Sequence, residues 1–493
     1  MDSDLPPADI GITLDDWAAT PLAVRQCVGT LLHVLAQQQQ GLAVQQQQIA
    51  QLQARLADLA ARLKLHSQNS SKPPSSDPPS APPRPVRPPG GRARGGQPGH
   101  PRNDRPAPTP DHIDTVRDHY PDICAQCQTS VAHLTYDACA VQTQYVWEIP
   151  IVEPHITAHH YHTVCCPGCG GLVTAARPPA VPPGSFGPRT AATVAMLHGR
   201  YRISDREIPC LLQDLAGLPI SVGSVVDLQQ TVSAALAPVY SAIQTSMQQQ
   251  AHVNMDETGW KEAGKRRWLW VVVSTIATLF HVAISRGGKV ITTLLGEAFA
   301  GLVSSDRLKS YQVLPPERRQ ICWGHLQRNL LAYYERDGPL GAWAADMLAQ
   351  ITILFALWHC FRAGQIDRAT LVASMQPVQA IVRALLERGR RRYDQAQGLS
   401  DELLALWPAL WLFVTVDGVE PTNNAAERAL RPAVLWRKGC FGAQSAAGNR
   451  FVERILTVSA TCQQQNRHLC TFLTDAVSAY WAGQPAPTLL TSP

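Results

Sequence analysis

Between residues 251 and 323 the hydrophobic pattern changes from helical spacing to short apolar runs separated by polar turns. This block limits the possible folds more than any other stretch of the chain. His252, Val253, Asn254 and Met255 lead into Asp256. Residues 261–267 are a polar turn, 268–274 a strongly apolar run, and 278–285 another. Runs of this length, rich in β-branched and aromatic residues, read as buried strands. Turns this short between consecutive strands give an antiparallel meander. Residues 289–298 then read as a helix and 301–305 as a strand ending at Asp306. Residues 319–323 form a further strand, followed by a helix from His325.

Meander, helix, strand, helix and strand is the order of a ribonuclease-H-like α/β domain. In that geometry Asp256 on the first strand and Asp306 on the fourth come side by side, and a helix carrying Glu427 can pack across the same edge. Each acid sits where an apolar element ends: in Asn254-Met255-Asp256-Glu257-Thr258, in Ser305-Asp306-Arg307, and in Asn423-Asn424-Ala425-Ala426-Glu427-Arg428. Taken singly, each acid reads as a cap or a surface charge. Taken together, three carboxylates repel one another unless cations lie between them, and magnesium prefers hard oxygen ligands. Two divalent ions held this way clamp the attacking and leaving oxygens of a phosphoryl transfer. The expected chemistry is that of a nuclease or DNA strand-transferase using magnesium or manganese. Asn423 and Asn424 precede the last of these helices and are expected to cap it.

The chain of 493 residues is too long for one ordinary core. From Val28 to Leu63 a heptad seam runs through Leu31, Leu35, Leu42, Ile49, Leu52, Leu56 and Leu59, with Gln38 and Gln45 also on it. It reads as a coiled coil that makes a homo-oligomer, or as one helix lying on the protein's own body. Fourteen of the 39 prolines follow between Pro73 and Pro110. Residues 66–110 also carry seven basic side chains, Arg92 and Arg94 among them, against two aspartates. Such an arm gains affinity for polyanions by counterion release, or simply stays solvated. Cys124-Ala125-Gln126-Cys127 and Cys166-Pro167-Gly168-Cys169 flank β-like sequence at 141–151 and 156–164. Paired knuckles at this spacing suit one structural zinc ion; four reduced cysteines are the alternative. Residues 190–201, 204–215 and 221–235 read as helices, with Ser204 as an N-cap, in a helix-turn-helix-like order. No run of about 18 apolar residues occurs, and the acidic start Met1-Asp2-Ser3-Asp4 is unlike a secretory leader. A cytoplasmic, nucleoid-associated protein with no membrane partner is expected.

Several further stretches carry a resemblance: Asn69 to Asp77, Gly95 to His100, Tyr201 to Ser224, Ser305-Asp306 with Tyr311, and Cys322-Trp323-Gly324-His325. With the knuckles, Met255 to Thr258 and Asn423 to Pro432, they resemble the insertion-sequence-66 family of transposases, the large-subunit type written TnpC. The resemblance implies a DDE transposase with Asp256, Asp306 and Glu427 as metal ligands. Such an enzyme cuts at element ends and joins the freed 3′-hydroxyl to target DNA. It further implies recognition of terminal inverted repeats and cooperation with small accessory proteins of the same element. Arg428, Arg431, Arg437, Lys438 and His325 are expected to contact DNA, together with Arg92 and Arg94 of the arm.

Asp306 and Glu427 lie 121 residues apart, and helical spacing between them (Leu340, Trp343, Met347, Ile351, Leu354, Trp358, then Val378, Val382, Leu385) implies a helical insertion. Its cluster at Arg388 to Arg392 can grip phosphate or form a solvated face. Residues 439–470 are more polar than the resemblance leads one to expect. The expected organisation is a multidomain α/β chain: 1–66 coiled coil, 67–118 basic linker, 119–177 zinc-ribbon-like module and 189–248 helix-turn-helix-like domain. A ribonuclease-H-like catalytic domain at 250–440, with its insertion at about 326–415, and a helical region at 441–493 complete it. A catalytically inactive DNA-binding regulator, a decayed element protein, or a nuclease without joining activity are the rival readings.

Overall fold

The computed structural model describes residues 11–63, 69, 107–132, 143–179, 181–336 and 338–490. They belong to two compact units, one drawn from residues 1–82 and 319–422, the other from 83–318 and 423–493. Arg92 and Arg94, with most of the basic linker, lie outside the described residues. The architecture is mixed α/β.

The first unit is almost all helix. Leu22–Leu63 is one helix of 42 residues. Its seam residues Leu31, Leu35, Leu42, Ile49, Leu52 and Leu56 are exposed on the single chain. Asn69 is buried, and its amide donates to Glu335 at 2.5 Å. The inserted helices are Trp323–Tyr334, Pro339–Arg362, Arg368–Arg392 and Asp394–Ala405. The periodic residues Leu340, Trp343, Met347, Ile351, Leu354 and Trp358 are buried, as are Val378, Val382 and Leu385. The Trp343 indole donates to the Leu385 carbonyl at 2.8 Å, tying two of these helices together. Pro339–Arg362 and Arg368–Arg392 are long and apolar enough, by length and composition, to cross a membrane. The Arg388 to Arg392 cluster is largely ion-paired: Arg388 with Asp346, Arg390 with Asp401 at 2.9 Å, and Arg391 with Glu387 at 3.6 Å. That arrangement corresponds to the solvated face rather than the phosphate grip.

In the second unit both cysteine knuckles form, each closed by its own backbone. Cys124 N–H donates to Thr129 C=O at 2.9 Å, and Cys166 N–H to Gly171 C=O at 2.8 Å. A short hairpin, Thr163–Cys165 with Leu172–Thr174, carries the second knuckle. Of the strands expected at 141–151 and 156–164, only the end of the second forms, in Thr163–Cys165; Val146, Ile149, Ile151 and Ile156 stand exposed with no ladder among the described residues. Alternation alone does not make a strand without a partner for its backbone. Four helices follow: Pro188–Gly199, Glu207–Ala216, Val222–Ala235 and Ala237–Met247. Ser221 caps the third by accepting from Ser224 N–H at 3.1 Å. Ser204 accepts from Glu207 N–H at 3.2 Å, but the helix it was expected to begin starts only at Glu207.

The sheet of this unit holds β1 (His252–Glu262), β2 (Lys265–Val273), β3 (Thr278–Ala283) and β4 (Leu302–Ser305), ordered β3-β2-β1-β4. The first three form the expected meander. Helix α1 (Gly288–Leu295) then crosses to β4, which lies parallel to β1. Two later helices, α2 (Asn424–Cys440) and α3 (Ala446–Gln464), complete the layer.

The polar character of 439–470 has a physical origin in α3. Glu453, Thr457 and Thr461 recur every four residues and so share one helix face. Glu453 Oε1 accepts from Val282 N–H at 2.7 Å, Thr457 Oγ1 from Phe280 N–H at 2.9 Å, and Thr461 Oγ1 from Thr278 N–H at 3.1 Å. The outer N–H groups of β3, which a sheet edge would leave unpaired, are thereby satisfied by a helix instead of a strand.

Candidate active site

Register places the first two acids. His252, Val253 and Asn254 of β1 pair with Leu302, Val303 and Ser304 of β4. Asp256 lies two residues beyond the last pair on one strand, and Asp306 two beyond it on the other. The side chains of a strand alternate in direction, so these two leave the ladder level and on a common side. Asp256 Oδ1 accepts from Glu257 N–H and Asp306 Oδ1 from Leu308 N–H, each at 2.9 Å.

Asn423 brings in the third. It occupies the residue before α2, yet its amide does not cap that helix as expected. It is fully buried and turned onto β1. Its Nδ2 donates to Met255 C=O at 2.6 Å and its Oδ1 accepts from Asn254 Nδ2 at 3.0 Å. Glu427 follows one turn later, with its N–H on Asn423 C=O at 3.2 Å. The first turn of α2 is therefore fastened to the two residues that precede Asp256.

The electrostatics register this crowding. Burial pushes the Asp256 carboxyl well above the ordinary carboxylate range, and the charges of Glu257, Asp306 and Glu427 push it further. The backbone N–H of Glu257 offsets part of this. Asp256 thus feels the charge of Asp306 and, more weakly, that of Glu427.

A second group, which reading the sequence missed, lies behind them. Glu257 points to the opposite face from Asp256 and is buried. Its Oε1 accepts from Arg286 Nε at 2.9 Å and Nη2 at 2.6 Å, and its Oε2 from the Tyr311 hydroxyl at 3.0 Å. Ser310 Oγ donates to the Arg286 carbonyl, closing a ring. Burial and the charge of Asp306 raise Glu257, while Arg286 and Tyr311 lower it. The ring anchors the segment that follows Asp306 to the strand that carries Asp256. Its members are 29 and 25 residues apart along the chain, so spacing gave no signal.

The other expected residues divide. Arg428, Arg431 and Lys438 are exposed on α2. Arg437 instead turns inward, donating to Thr258 Oγ1 at 3.0 Å and to the Gly259 carbonyl. His325 is half-buried on the Trp323–Tyr334 helix of the other unit. In the knuckles, backbone N–H groups of Cys169 and Gly168 hold the Cys166 thiol below its ordinary range. The hydroxyl and N–H of Thr129, then Cys124, do the same for Cys127. Among the described residues no three of these four thiols lie mutually within 4.8 Å.

The family model described as Transposase IS66 family matches residues 183–450, more than half of the chain and all three acids. The chain belongs to the IS66 transposase family. A family of unknown function (DUF6444) matches residues 29–106. Two uncharacterized proteins of Sinorhizobium fredii (strain NBRC 101917 / NGR234) are similar to it. One, y4qI, is 24% identical over 45% of this chain and 45% of its own. The other, y4hP, is 22% identical over 58% of this chain and 57% of its own. The chain thus spans about half the length of the curated relatives it matches.

The raised Asp256 carboxyl gives the site a pH signature. Above the ordinary carboxylate range the native state holds a proton on Asp256 that the unfolded chain has released. Metal-free stability therefore falls as pH rises from that range through the raised folded value. The expected result is a Tm in chelator that drops from about pH 5 to about pH 7. It drops less in Asp256→Asn, and manganese offsets the loss more at the higher pH. Parallel Tm profiles for wild type and Asp256→Asn would contradict this.

Proposed function

We propose that this family member is a DDE transposase whose chemistry is carried out at Asp256, Asp306 and Glu427 on a ribonuclease-H-like core. The observation that carries the reading is the convergence of three carboxylates from β1, β4 and α2, fastened by Asn423. The three carboxylates offer hard oxygen ligands that fit a divalent ion, and their crowding helps to raise the Asp256 carboxyl. Magnesium or manganese bound there supplies charge neutralisation at the phosphate and an activated hydroxyl.

The remaining work belongs to the chain. Asp256, Asp306 and Glu427 bind and orient; the Glu257, Arg286 and Tyr311 ring holds their relative position. Arg428 and Arg431, exposed one and four residues past Glu427, contact the phosphates of the strand being cut. The substrates are double-stranded DNA at the element's terminal inverted repeats and at the target. The Leu22–Leu63 helix pairs through its exposed seam into a coiled coil that holds two ends in one assembly. Cys124, Cys127, Cys166 and Cys169 hold one structural zinc ion. The backbone N–H groups aimed at Cys166 suit a thiolate ligand.

Two measurements test this. On a labelled duplex carrying the terminal repeat, Asp256→Asn is expected to lose cleavage by more than about 100-fold while retaining binding. Wild-type cleavage by the variant with magnesium present would defeat the catalytic assignment, and product that is cut but never joined would reduce the enzyme to a nuclease. For the knuckles, metal analysis of purified protein is expected to give one zinc per chain, lost in Cys166→Ser; a wild-type protein without zinc would defeat that assignment.

A further inference from the structure

The tip of the β1–β2 hairpin is a cationic platform outside the three-acid site. Glu262 pairs with Lys265, leaving a two-residue turn of Ala263 and Gly264, both with positive φ (46° and 76°). Such a turn matches the right-handed twist of a hairpin but strains a residue that bears a Cβ. Around it Lys261, Lys265 and Arg266 are exposed. Arg267 is paired with Glu262 at 3.2 Å, and Glu262 also accepts from Asn449 at 2.6 Å, so the tip's carboxylate is engaged. Arg266 lies over the Trp268 indole at 4.6 Å, which fixes its guanidinium in place.

The end of α2 is stitched to this tip. Ala263 N–H donates to Ala443 C=O at 2.9 Å, and Ala443 N–H to Lys261 C=O at 3.0 Å. Gly442 (φ +112°) lies so close that a Cβ there would sit 2.3 Å from the Lys261 carbonyl oxygen. Next to it Phe441 holds a left-handed backbone (φ 61°) and is 73% exposed. Lys438, also exposed, lies one turn earlier. Among the described residues these cations have no carboxylate partner, and an aromatic ring displayed in water beside them on a strained backbone has no packing role there to explain it.

We infer that Lys261, Lys265, Arg266, Lys438 and Phe441 form a docking surface for duplex DNA flanking the scissile phosphate. The inference rests on the reading of the acids as a DNA-processing site. Cys440, the last residue of α2 before Phe441, lies thirteen residues from Glu427, about 20 Å at ~1.5 Å per residue. Lys261 lies five residues along β1 from Asp256, about 17 Å at ~3.3 Å per residue. Both routes put the platform roughly five to six base pairs from the acids, at ~3.4 Å per pair. The cations engage backbone phosphates, and Phe441 supplies an apolar contact in the groove.

The test is fluorescence-anisotropy titration of labelled duplexes across a range of KCl concentrations, using the full chain. Replacing Lys261, Lys265 and Arg266 together by Ala is expected to weaken binding at least tenfold near 0.1 M salt. It is also expected to flatten the slope of log K against log salt by about 2 to 3. Phe441→Ala is expected to weaken binding with the slope unchanged, and Lys261→Arg with Lys265→Arg to keep the wild-type affinity and slope. On a duplex ending within about three base pairs of the cleavage point, wild type and the triple variant should bind alike. An unchanged slope in a folded triple variant, or an equal loss on the short duplex, overturns the inference. Asp256→Asn, carried in parallel, separates the two readings: its failure to block cleavage removes the catalytic assignment and leaves the binding result standing.

Discussion

The side-chain amide of Asn423 is the joint on which the site depends. The chain leaves the sheet-bearing unit after Arg318 and returns at Asn423, with a mostly helical excursion of residues 319–422 between. Loop-closure entropy rises only slowly with such a length, so the excursion itself is inexpensive. What must be fixed is where the chain re-enters. A buried amide with one donor and one acceptor used on Met255 and Asn254 fixes it to the two residues before Asp256. Leaving those groups unpaired in the interior would cost about 1–3 kcal/mol each, so the joint has one favoured position. Glu427, one helical turn later, inherits that position.

Two sets of acidic chemistry then share β1 back to back. Asp256 looks toward α2 and Glu257 toward Tyr311, because consecutive strand residues point to opposite faces. On one face the charges of Asp306 and Glu427 raise the Asp256 carboxyl. On the other, Glu257 is saturated by a guanidinium and a phenol. The saturated face is rigid and the crowded face is poised to bind cations, and the strand between them transmits the geometry of the first to the second.

Much of this was legible in the sequence. The meander and β4, which stops just before Asp306, follow from short apolar runs and their polar terminators, and a helix carrying Glu427 was expected beside them. The periodicity of 340–385 likewise announced the inserted helices. Other parts were opaque for physical reasons. Asn423 reads as a cap because asparagine before a helix usually is one; only tertiary structure shows its amide turned onto a strand. Glu257, Arg286 and Tyr311 are joined by folding, not by spacing. The run Glu453, Thr457, Thr461 looked like a polar departure because an edge strand's N–H groups are invisible in a sequence. Of the strands expected at 141–151 and 156–164 only Thr163–Cys165 formed, because a β-like sequence does not specify its partner.

The central claim is that Asp256 and Glu427 belong to a single cation site. Manganese affinity, followed by electron paramagnetic resonance in wild type, Asp256→Asn, Glu427→Gln and the double variant, tests it most directly. Either single substitution is expected to weaken binding about as much as both together, the non-additivity of groups that share one partner. Losses that simply add would mean that the two carboxylates act independently, and would contradict the account.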